Sequence, residues 1–529
     1  MSGLPPVVTA MLAPGFYPEP PAHVDLLQTH ISYVLLAGDQ VYKLKKPVRF
    51  AFLDFSTLER RRHFCEEEVR LNRRLAGDVY RGVLAIVPCD GGFAPAPADA
   101  AGAVEYAVHM RRLPAERVLA RLLDTGAATA ALIDRIAARL AAFHAGADAG
   151  PEIAHGGDPA EIARLMDEDF AEVVALHGDT ISAADDAAIQ RWCHARLAAL
   201  EPLLRRRQAA GRIRDGHGDL HAEHIYCLEN DELVIVDCIE FNPGFRHRDV
   251  AADLAFLAMD LEYHGRRDLA ARLIATYAER AADPELPALV PFYACQRAYI
   301  RGKVDSLKSR EPEVEPADAA AARASAGRHF ALALRYTWSD ARALIIVCGL
   351  SGSGKSTIAA ALAARTGFVH LNTDRTRKAL AGLAATERGG PELYSAERSA
   401  ATYAALHTAA GEALAAGRGV ILDGTFQRRE HRDRARAVAD AAGAPALIVE
   451  CRADDAEIRR RLTARAARND DPSDADWEVY QRQRLAYEAV AADEPHVAVD
   501  TARPTAEVVA EAEARLRELV KEGVGIPSP

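Results

Sequence analysis

Ala343-Leu-Ile-Ile-Val-Cys-Gly-Leu-Ser-Gly-Ser-Gly-Lys-Ser-Thr357 is the stretch whose reading decides the fold of the C-terminal third. Its first half is short, apolar and rich in β-branched residues, and it ends at a glycine. A buried parallel strand reads this way. Its second half, Gly349 to Ser356, fits G-x-x-x-x-G-K-[ST] without a gap, and a helical pattern follows over Thr357–Arg365. Strand, glycine loop and helix together give the spacing its chemistry. The glycines Gly349, Gly352 and Gly354 let the backbone wrap a phosphate, with successive N–H groups of Ser351, Ser353 and their neighbours turned inward. The helix start adds partial positive charge. Lys355 reaches the β- and γ-phosphates of a nucleoside triphosphate, and the Ser356 hydroxyl, just before Thr357, ligates Mg²⁺.

Three downstream segments refine this reading. Phe368-Val-His-Leu-Asn-Thr-Asp374 reads as a strand beside the loop that ends in Asp374, with Arg377 one helical turn on. An acid there can take the proton of an acceptor hydroxyl or hold the Mg²⁺ shell. Arg377 can clamp the acceptor or the transferred phosphate. A helix-capping aspartate with a surface arginine is the plainer alternative. Gly419-Val-Ile-Leu-Asp-Gly-Thr-Phe426 reads as an apolar strand ending in Asp423, a second Mg²⁺ carboxylate, with Thr425 just beyond. In Ile458–Arg465 and the residues after it, Arg461, Arg465 and Arg468 fall at i, i+4 and i+7 and share one helix face. A closing helix could bring them to the phosphates. A solvated basic face is the alternative.

Upstream, Ser309-Arg-Glu-Pro-Glu-Val-Glu-Pro316 can neither continue a helix nor pack a core, and a helical pattern over 317–336 follows it. The expected boundary lies near 338, giving domains 1–337 and 338–529. The first begins with strands at Ser32–Leu36 and Gln40–Lys45, joined by a Gly38-Asp39 turn. A charged helix follows around Thr57–Leu75, then strands near Val83–Pro88 and Glu105–Met110. Beyond Arg117 the pattern is helical, except for an island from His217 to Phe241.

That island holds His217-Gly-Asp-Leu-His-Ala-Glu-His224 and Leu233-Val-Ile-Val-Asp-Cys-Ile-Glu-Phe241. The two segments resemble the catalytic loop and metal-binding hairpin of the aminoglycoside phosphotransferase and choline kinase group. The resemblance spans about 25–310 and implies a protein-kinase-like fold: a small β-rich lobe, then a helical lobe. It implies Asp219 as the base at the acceptor hydroxyl and Asp237 as the main Mg²⁺ ligand. The family's second metal ligand is Asn; here that position is His224, and imidazole suits Mg²⁺ poorly. The nucleotide lysine is Lys43 or Lys45, which share one strand face. Lys43 is favoured, with Glu68 as its helix partner, and Met110-Arg-Arg-Leu113 would be the adenine hinge. Arg248-Asp-Val-Ala-Ala-Asp253 continues the family pattern, in which the later aspartates brace the loop. The spacing His217, His221, His224 also opens a zinc reading.

The C-terminal run, from the glycine loop through Asn372-Thr-Asp-Arg-Thr-Arg-Lys378 to Leu422-Asp-Gly-Thr-Phe426, resembles the small P-loop kinases: gluconate kinase, polynucleotide 5′-hydroxyl kinase, zeta-type toxins and chloramphenicol phosphotransferase. In that group the acid in the Asp374 position activates an acceptor hydroxyl. The expected domain is α/β, with a parallel sheet and helices on both faces. In this order the two halves resemble bacterial two-domain proteins described as bifunctional aminoglycoside phosphotransferase/ATP-binding proteins. The expected activity is ATP·Mg²⁺-dependent transfer to a hydroxyl of a small molecule or a nucleic-acid end. The N-terminal lobe is then a second phosphotransferase or a substrate-binding lobe. A regulatory ATPase with a recruitment module is the rival.

A net charge of −11 argues against non-specific nucleic-acid binding. The eight cysteines are scattered with no CxxC pair, as in a reducing compartment. No run approaches the ~20 apolar residues that span a bilayer, and Met1-Ser-Gly-Leu-Pro-Pro6 does not read as a signal peptide. The expectation is a cytoplasmic protein with no membrane partner.

Overall fold

The computed structural model describes the chain except residues 1–2, 51, 312–313, 385, 388, 469–472, 474 and 525–529, and except the side chains at 391, 466–468 and 521–524. The expected break at 309–316 therefore falls partly outside the described residues. The chain divides into two compact units, Met1–Ala333 and Leu334–Pro529.

The first unit opens on a six-stranded sheet: β1 Val24–Gln28, β2 Ser32–Ala37, β3 Gln40–Lys45, β4 Tyr80–Cys89, β5 Gly92–Pro97 and β6 Glu105–Arg111, ordered β1-β2-β3-β6-β4-β5. Every pairing is antiparallel. The β2–β3 hairpin turns through Gly38 at φ 63°, a left-handed conformation that glycine adopts without strain. Alternation along β3 sends Tyr42 and Leu44 into one apolar layer with Leu35, Ile86 and Ala107. Lys43 and Lys45 point to the other face, where helix α1 (Leu58–Ala76) lies. Thr57 caps α1 by accepting from the Arg60 N–H. Cys65, Glu68, Val69, Asn72 and Leu75, at helical spacing, form its buried stripe.

The helical lobe contains α2 (Ala130–Gly146), α3 (Ala183–Ala209), α4 (Val250–Tyr263), α5 (Arg267–Arg280), α6 (Val290–Lys308) and α7 (Pro316–Tyr336), of which α7 crosses into the second unit. Val250 to Leu261 of α4 is buried throughout, so α4 is the core helix. A hairpin, β7 Ile225–Cys227 and β8 Leu233–Ile235, carries the island predicted from sequence. A small β-rich lobe followed by a helical lobe is the expected kinase-like outline.

The second unit is built on β9 Leu344–Cys348, β10 Val369–Asn372, β11 Val420–Asp423, β12 Ala446–Arg452 and β13 His496–Asp500. Their order is β10-β11-β9-β12-β13, and all pairings are parallel. Every residue of β9 is buried, and alternate residues serve two cores. Ile345 and Val347 join Ile358 and Leu362 of α8 (Lys355–Thr366) together with Val508 and Leu516. Leu344, Ile346 and Cys348 join Tyr403, Leu406 and Ala435 on the opposite face. A continuous apolar run is what a strand covered by helices on both sides requires.

One expectation is corrected. The strand expected over Phe368–Asp374 runs only from Val369 to Asn372, and Asp374 lies in the first turn of helix α9 (Thr373–Leu380). Asn372 is the cap, accepting from the N–H groups of Asp374 and Arg375 at 3.0 Å each. The side-chain oxygen of Asn satisfies two otherwise orphaned donors, so the chain turns helical sooner than its apolar pattern suggests. Nor is β10 next to the glycine-loop strand: β11 stands between them.

Candidate active sites

At the C-terminal edge of the parallel sheet, β9 runs into the glycine loop and α8. Gly354, at φ 83°, caps α8, and a Cβ there would stand 2.9 Å from Arg461 Nη1. A Cβ on Gly352 would meet Ile458 and Leu462 at 3.0 and 3.1 Å. Both positions need glycine, because helix α10 (Asp455–Arg468) packs directly on the loop. The Ser353 hydroxyl is buried with no hydrogen-bond partner among the described residues, an unspent donor inside the loop.

Asp423, fully buried at the end of β11, is the hub of this site. Its Oδ1 accepts from the Ser356 hydroxyl at 3.2 Å. Its Oδ2 accepts from Asn372 Nδ2 at 2.6 Å and faces His370 Nε2 at 3.2 Å. Burial alone would raise the Asp423 carboxyl, but His370, Lys355 and Asn372 outweigh it and hold it below the ordinary carboxylate value. A solvent-reachable hydroxyl beside a buried carboxylate is an oxygen-only donor set, which fits a hard divalent ion such as Mg²⁺. His370 and Asn372 were not singled out from sequence. They are two apart on β10, and Asn372 is in register with Asp423. That alternation was the available signal, obscured by placing the strand end at Asp374.

Asp374 and Arg377 meet: Arg377 Nη1 donates to Asp374 Oδ1 at 2.6 Å. The guanidinium also lies 4.8 Å from the Tyr394 ring centroid. Tyr403 lines the same corner; burial pushes its hydroxyl up, while Thr425 and Arg377 pull it back.

Arg461 donates to the hydroxyl and carbonyl oxygens of Thr501, at 3.0 and 2.7 Å, and to Glu457 at 2.7 Å. The Thr501 hydroxyl donates in turn to the Ser353 carbonyl at 2.7 Å, so Arg461 braces the loop from outside. Arg465 turns away and donates to the Ala475 carbonyl. The shared arginine face expected from spacing is therefore divided between two partners; the Arg468 side chain lies outside the described residues. Sequence reading also missed Gln483, on helix α11 (Trp477–Ala486), whose Oε1 accepts from the Ser351 N–H at 2.9 Å.

In the first unit, Lys43 Nζ contacts Glu68 Oε1 at 2.9 Å and Asp237 Oδ1 at 2.7 Å. Lys45 Nζ contacts Glu68 Oε2 at 2.8 Å and is also paired with Glu240. Glu68 thus holds both lysines. Lys43 faces Asp237, whereas Lys45 is sealed at 1% exposure. Asp237 adopts φ 63°, a conformation that turns it out of the hairpin path. Against the pull of burial, Lys43 and His224 hold its carboxyl well below the usual range.

The loop bearing Asp219 is fixed from below. Asp253 of α4 accepts from the N–H groups of His217 and Gly218 at 2.6 and 2.9 Å, and Asp260 accepts from Ala222 N–H at 2.7 Å. Asp249 is paired with buried Arg207 at 2.7 Å. His217 does not face the site: its Nε2 meets the Val236 carbonyl at 3.0 Å, and its Nδ1 accepts from Asp219 N–H at 3.3 Å. His224 lies between the two acids, its Nε2 3.4 Å from Asp237 and its Nδ1 3.7 Å from the Asp219 carboxylate. Burial would raise Asp219, but His221, His224 and Arg301 hold it well below the usual carboxylate range.

Residues 344–490 match the AAA domain family AAA_33. Over 474 residues the chain is 34% identical to the Mycobacterium tuberculosis (strain H37Rv) protein named "Uncharacterized protein Rv2004c", a match that covers 87% of this chain and 92% of that one. Mycobacterium bovis "Uncharacterized protein Mb2027c" matches to the same extent. The chain belongs to the family of these mycobacterial proteins. Solved structures similar to this family member include the GDP complex of aminoglycoside 2'-phosphotransferase-IIIa, with TM-score 0.37 and 15% identity over 61% of this chain and 97% of that one. Another is a gluconokinase from Sinorhizobium meliloti 1021, with TM-score 0.27 and 26% identity over 34% of this chain and 95% of that one. The family member's C-terminal unit is a P-loop domain of kinase type. Among its described residues no helix is long and apolar enough to cross a membrane.

Proposed function

We propose that this protein is an ATP·Mg²⁺-dependent phosphotransferase whose C-terminal unit moves the γ-phosphate to a hydroxyl of a small molecule or nucleic-acid end. The observation that carries the reading is the 3.2 Å contact of Ser356 with buried Asp423 at the mouth of the glycine loop. Those two oxygens would hold Mg²⁺, which when bound neutralises phosphate charge. Lys355 would bind the β- and γ-phosphates, and the loop N–H groups would hold them in place. Asp374, oriented by Arg377, would accept the acceptor proton. Arg461 would keep the loop in shape, and Arg465 would reach the phosphates only after leaving Ala475. The chemistry is mostly positioning and charge neutralisation.

The N-terminal unit, in this proposal, is a phosphotransferase-type lobe of the bifunctional arrangement that the sequence resembles, with the domain border near 337/338. Lys43 and Glu68 would serve the nucleotide, Asp237 and His224 the metal, and Asp219 the acceptor. The protein would act in the cytoplasm, as its scattered thiols suggest.

The test is transfer of labelled γ-phosphate from ATP·Mg²⁺ into pooled sugars, aminoglycosides, nucleosides and 5′-hydroxyl RNA, with wild type, Lys355→Ala and Asp219→Ala. A product lost only in Lys355→Ala supports the proposal. A product lost only in Asp219→Ala moves the activity to the N-terminal unit. Free phosphate without product replaces the proposal with an ATPase switch.

A further inference from the structure

His221 has no part in the phosphotransfer proposed above, yet it is 4% exposed and its Nε2 points at Asp219 Oδ2 from 3.5 Å. On the other side of the same oxygen stands His224 Nδ1, at 3.7 Å. The two rings approach each other to 3.9 Å between centroids. Both separations from Asp219 exceed an ordinary hydrogen bond. They match another geometry. With metal–nitrogen and metal–oxygen bonds of about 2.0–2.1 Å, the ligand atoms of a tetrahedral site stand about 3.4 Å apart. One ligand atom from each of Asp219, His221 and His224 lies within 4.8 Å of the other two.

We propose that Asp219, His221 and His224 form a site for a divalent first-row transition ion of the Zn²⁺ type. It differs from the ligand pair that the family resemblance implied, position 224 with Asp237. It also differs from the three-histidine spacing, because both nitrogens of His217 are already spent on Val236 and Asp219 backbone groups. Two imidazoles and one carboxylate suit Zn²⁺, Co²⁺ or Ni²⁺ and disfavour Mg²⁺, which prefers oxygen ligands throughout. The surroundings provide the expected support. With Nδ1 on the ion, His224 presents its Nε2–H to Asp237 Oδ2 at 3.4 Å, the carboxylate–histidine–metal arrangement that fixes a ring's orientation. In the metal-free ring His224 Nδ1 donates to the Asp219 carbonyl at 2.9 Å, so the incoming ion takes the place of that proton, and uptake should weaken as pH falls. Three protein ligands leave a position open, as in metal sites that admit an exchangeable group. An ion seated here occupies the Asp219 carboxylate, so this lobe cannot use that oxygen as a base while the ion is bound. The site is independent of phosphotransfer by the C-terminal unit.

The experiment uses the full chain, nucleotide-free and stripped with chelator, titrated with Co²⁺ in the presence of excess Mg²⁺. One equivalent of Co²⁺ should bind and give the visible ligand-field absorption of a low-coordinate nitrogen–oxygen site, and Zn²⁺ should bleach it. His221→Ala and His224→Asn should each weaken Co²⁺ binding by more than about tenfold. His224→Asn retains a side-chain N–H donor near the Asp219 carbonyl, and its thermal unfolding is measured alongside to show that the lobe remains folded. Absence of a stoichiometric Co²⁺ band in wild type, or a band that survives in a folded His224→Asn variant, overturns the proposal.

Discussion

Asp423 is the residue on which the C-terminal site turns, because four groups from two segments, the start of α8 and β10, converge on one buried carboxylate. Asp423→Asn keeps the shape but removes the charge that faces Lys355 and the Ser356 hydroxyl. Losing a metal carboxylate costs several kcal/mol of charge stabilisation, so Mg²⁺-dependent phosphate transfer should fall by about a hundredfold or more. Steady-state rates across a Mg²⁺ titration check this; an unchanged rate would remove Asp423 from the metal's shell. Asp423 was legible from sequence, since an apolar strand that stops at an acid is a recognisable pattern. Its partners His370 and Asn372 were not, because only the parallel register brings β10 beside it, with Asn372 opposite Asp423 and His370 two residues before. His217 shows the same division. Its loop motif was legible, but its direction was not: Nδ1 accepts from the Asp219 N–H, so the ring must be neutral in the fold. Burial lowers its pKa from about 6.5 to about 4. In that window the unfolded chain binds the proton and the native chain does not, so stability falls as pH drops from about 6.5 towards 4. The His217 contribution is about 3 kcal/mol at most. Denaturant unfolding of wild type and His217→Gln across that range should show the steeper acid loss in wild type.

Among the elements, α9 is the one whose start serves the chemistry. Asn372 caps it with Oδ1 and binds Asp423 with Nδ2 at 2.6 Å, so a single amide sets both the helix and the metal carboxylate. Asn372→Ser should preserve the cap within a few tenths of a kcal/mol but lose the bond to Asp423. Asn372→Ala should also lose the cap and cost about 1 kcal/mol more. Unfolding midpoints should therefore rank wild type above Ser above Ala, while both variants share one defect in Mg²⁺-dependent activity. A Ser variant with full activity would show that the link to Asp423 is dispensable. Helices and central strands were legible from their periodicity: α1, α7, β3 and β9 lie where their patterns put them. The edge strands β1 and β5 went unread. β5 is Gly-Phe-Ala-Pro-Ala-Pro, and its prolines are tolerated only because an edge strand leaves some N–H positions unpaired.

For the molecule as a whole, the relevant fact is that each unit has its own core and its own candidate site, so ligand effects should be separable by unit. Nucleotide that binds only the folded state stabilises by about 2.7 kcal/mol at a hundred times its dissociation constant. For a unit the size of Leu334–Pro529, each kcal/mol raises the midpoint by about 2–4 °C, so ATP·Mg²⁺ should raise that unit's transition by roughly 5–10 °C. Lys355→Ala should abolish this shift while leaving the nucleotide-free transition in place, because Lys355 is only partly buried and its ammonium serves the ligand rather than the core. Calorimetry of the full chain with and without ATP·Mg²⁺ reads both units in one scan. If Lys355→Ala kept the full shift and Lys43→Ala lost it, the main nucleotide site would lie in the first unit. There the ion pairs of Lys43 with Glu68 and Asp237 link the sheet, α1 and the segment after the hairpin, beside the buried Lys45–Glu68–Glu240 set.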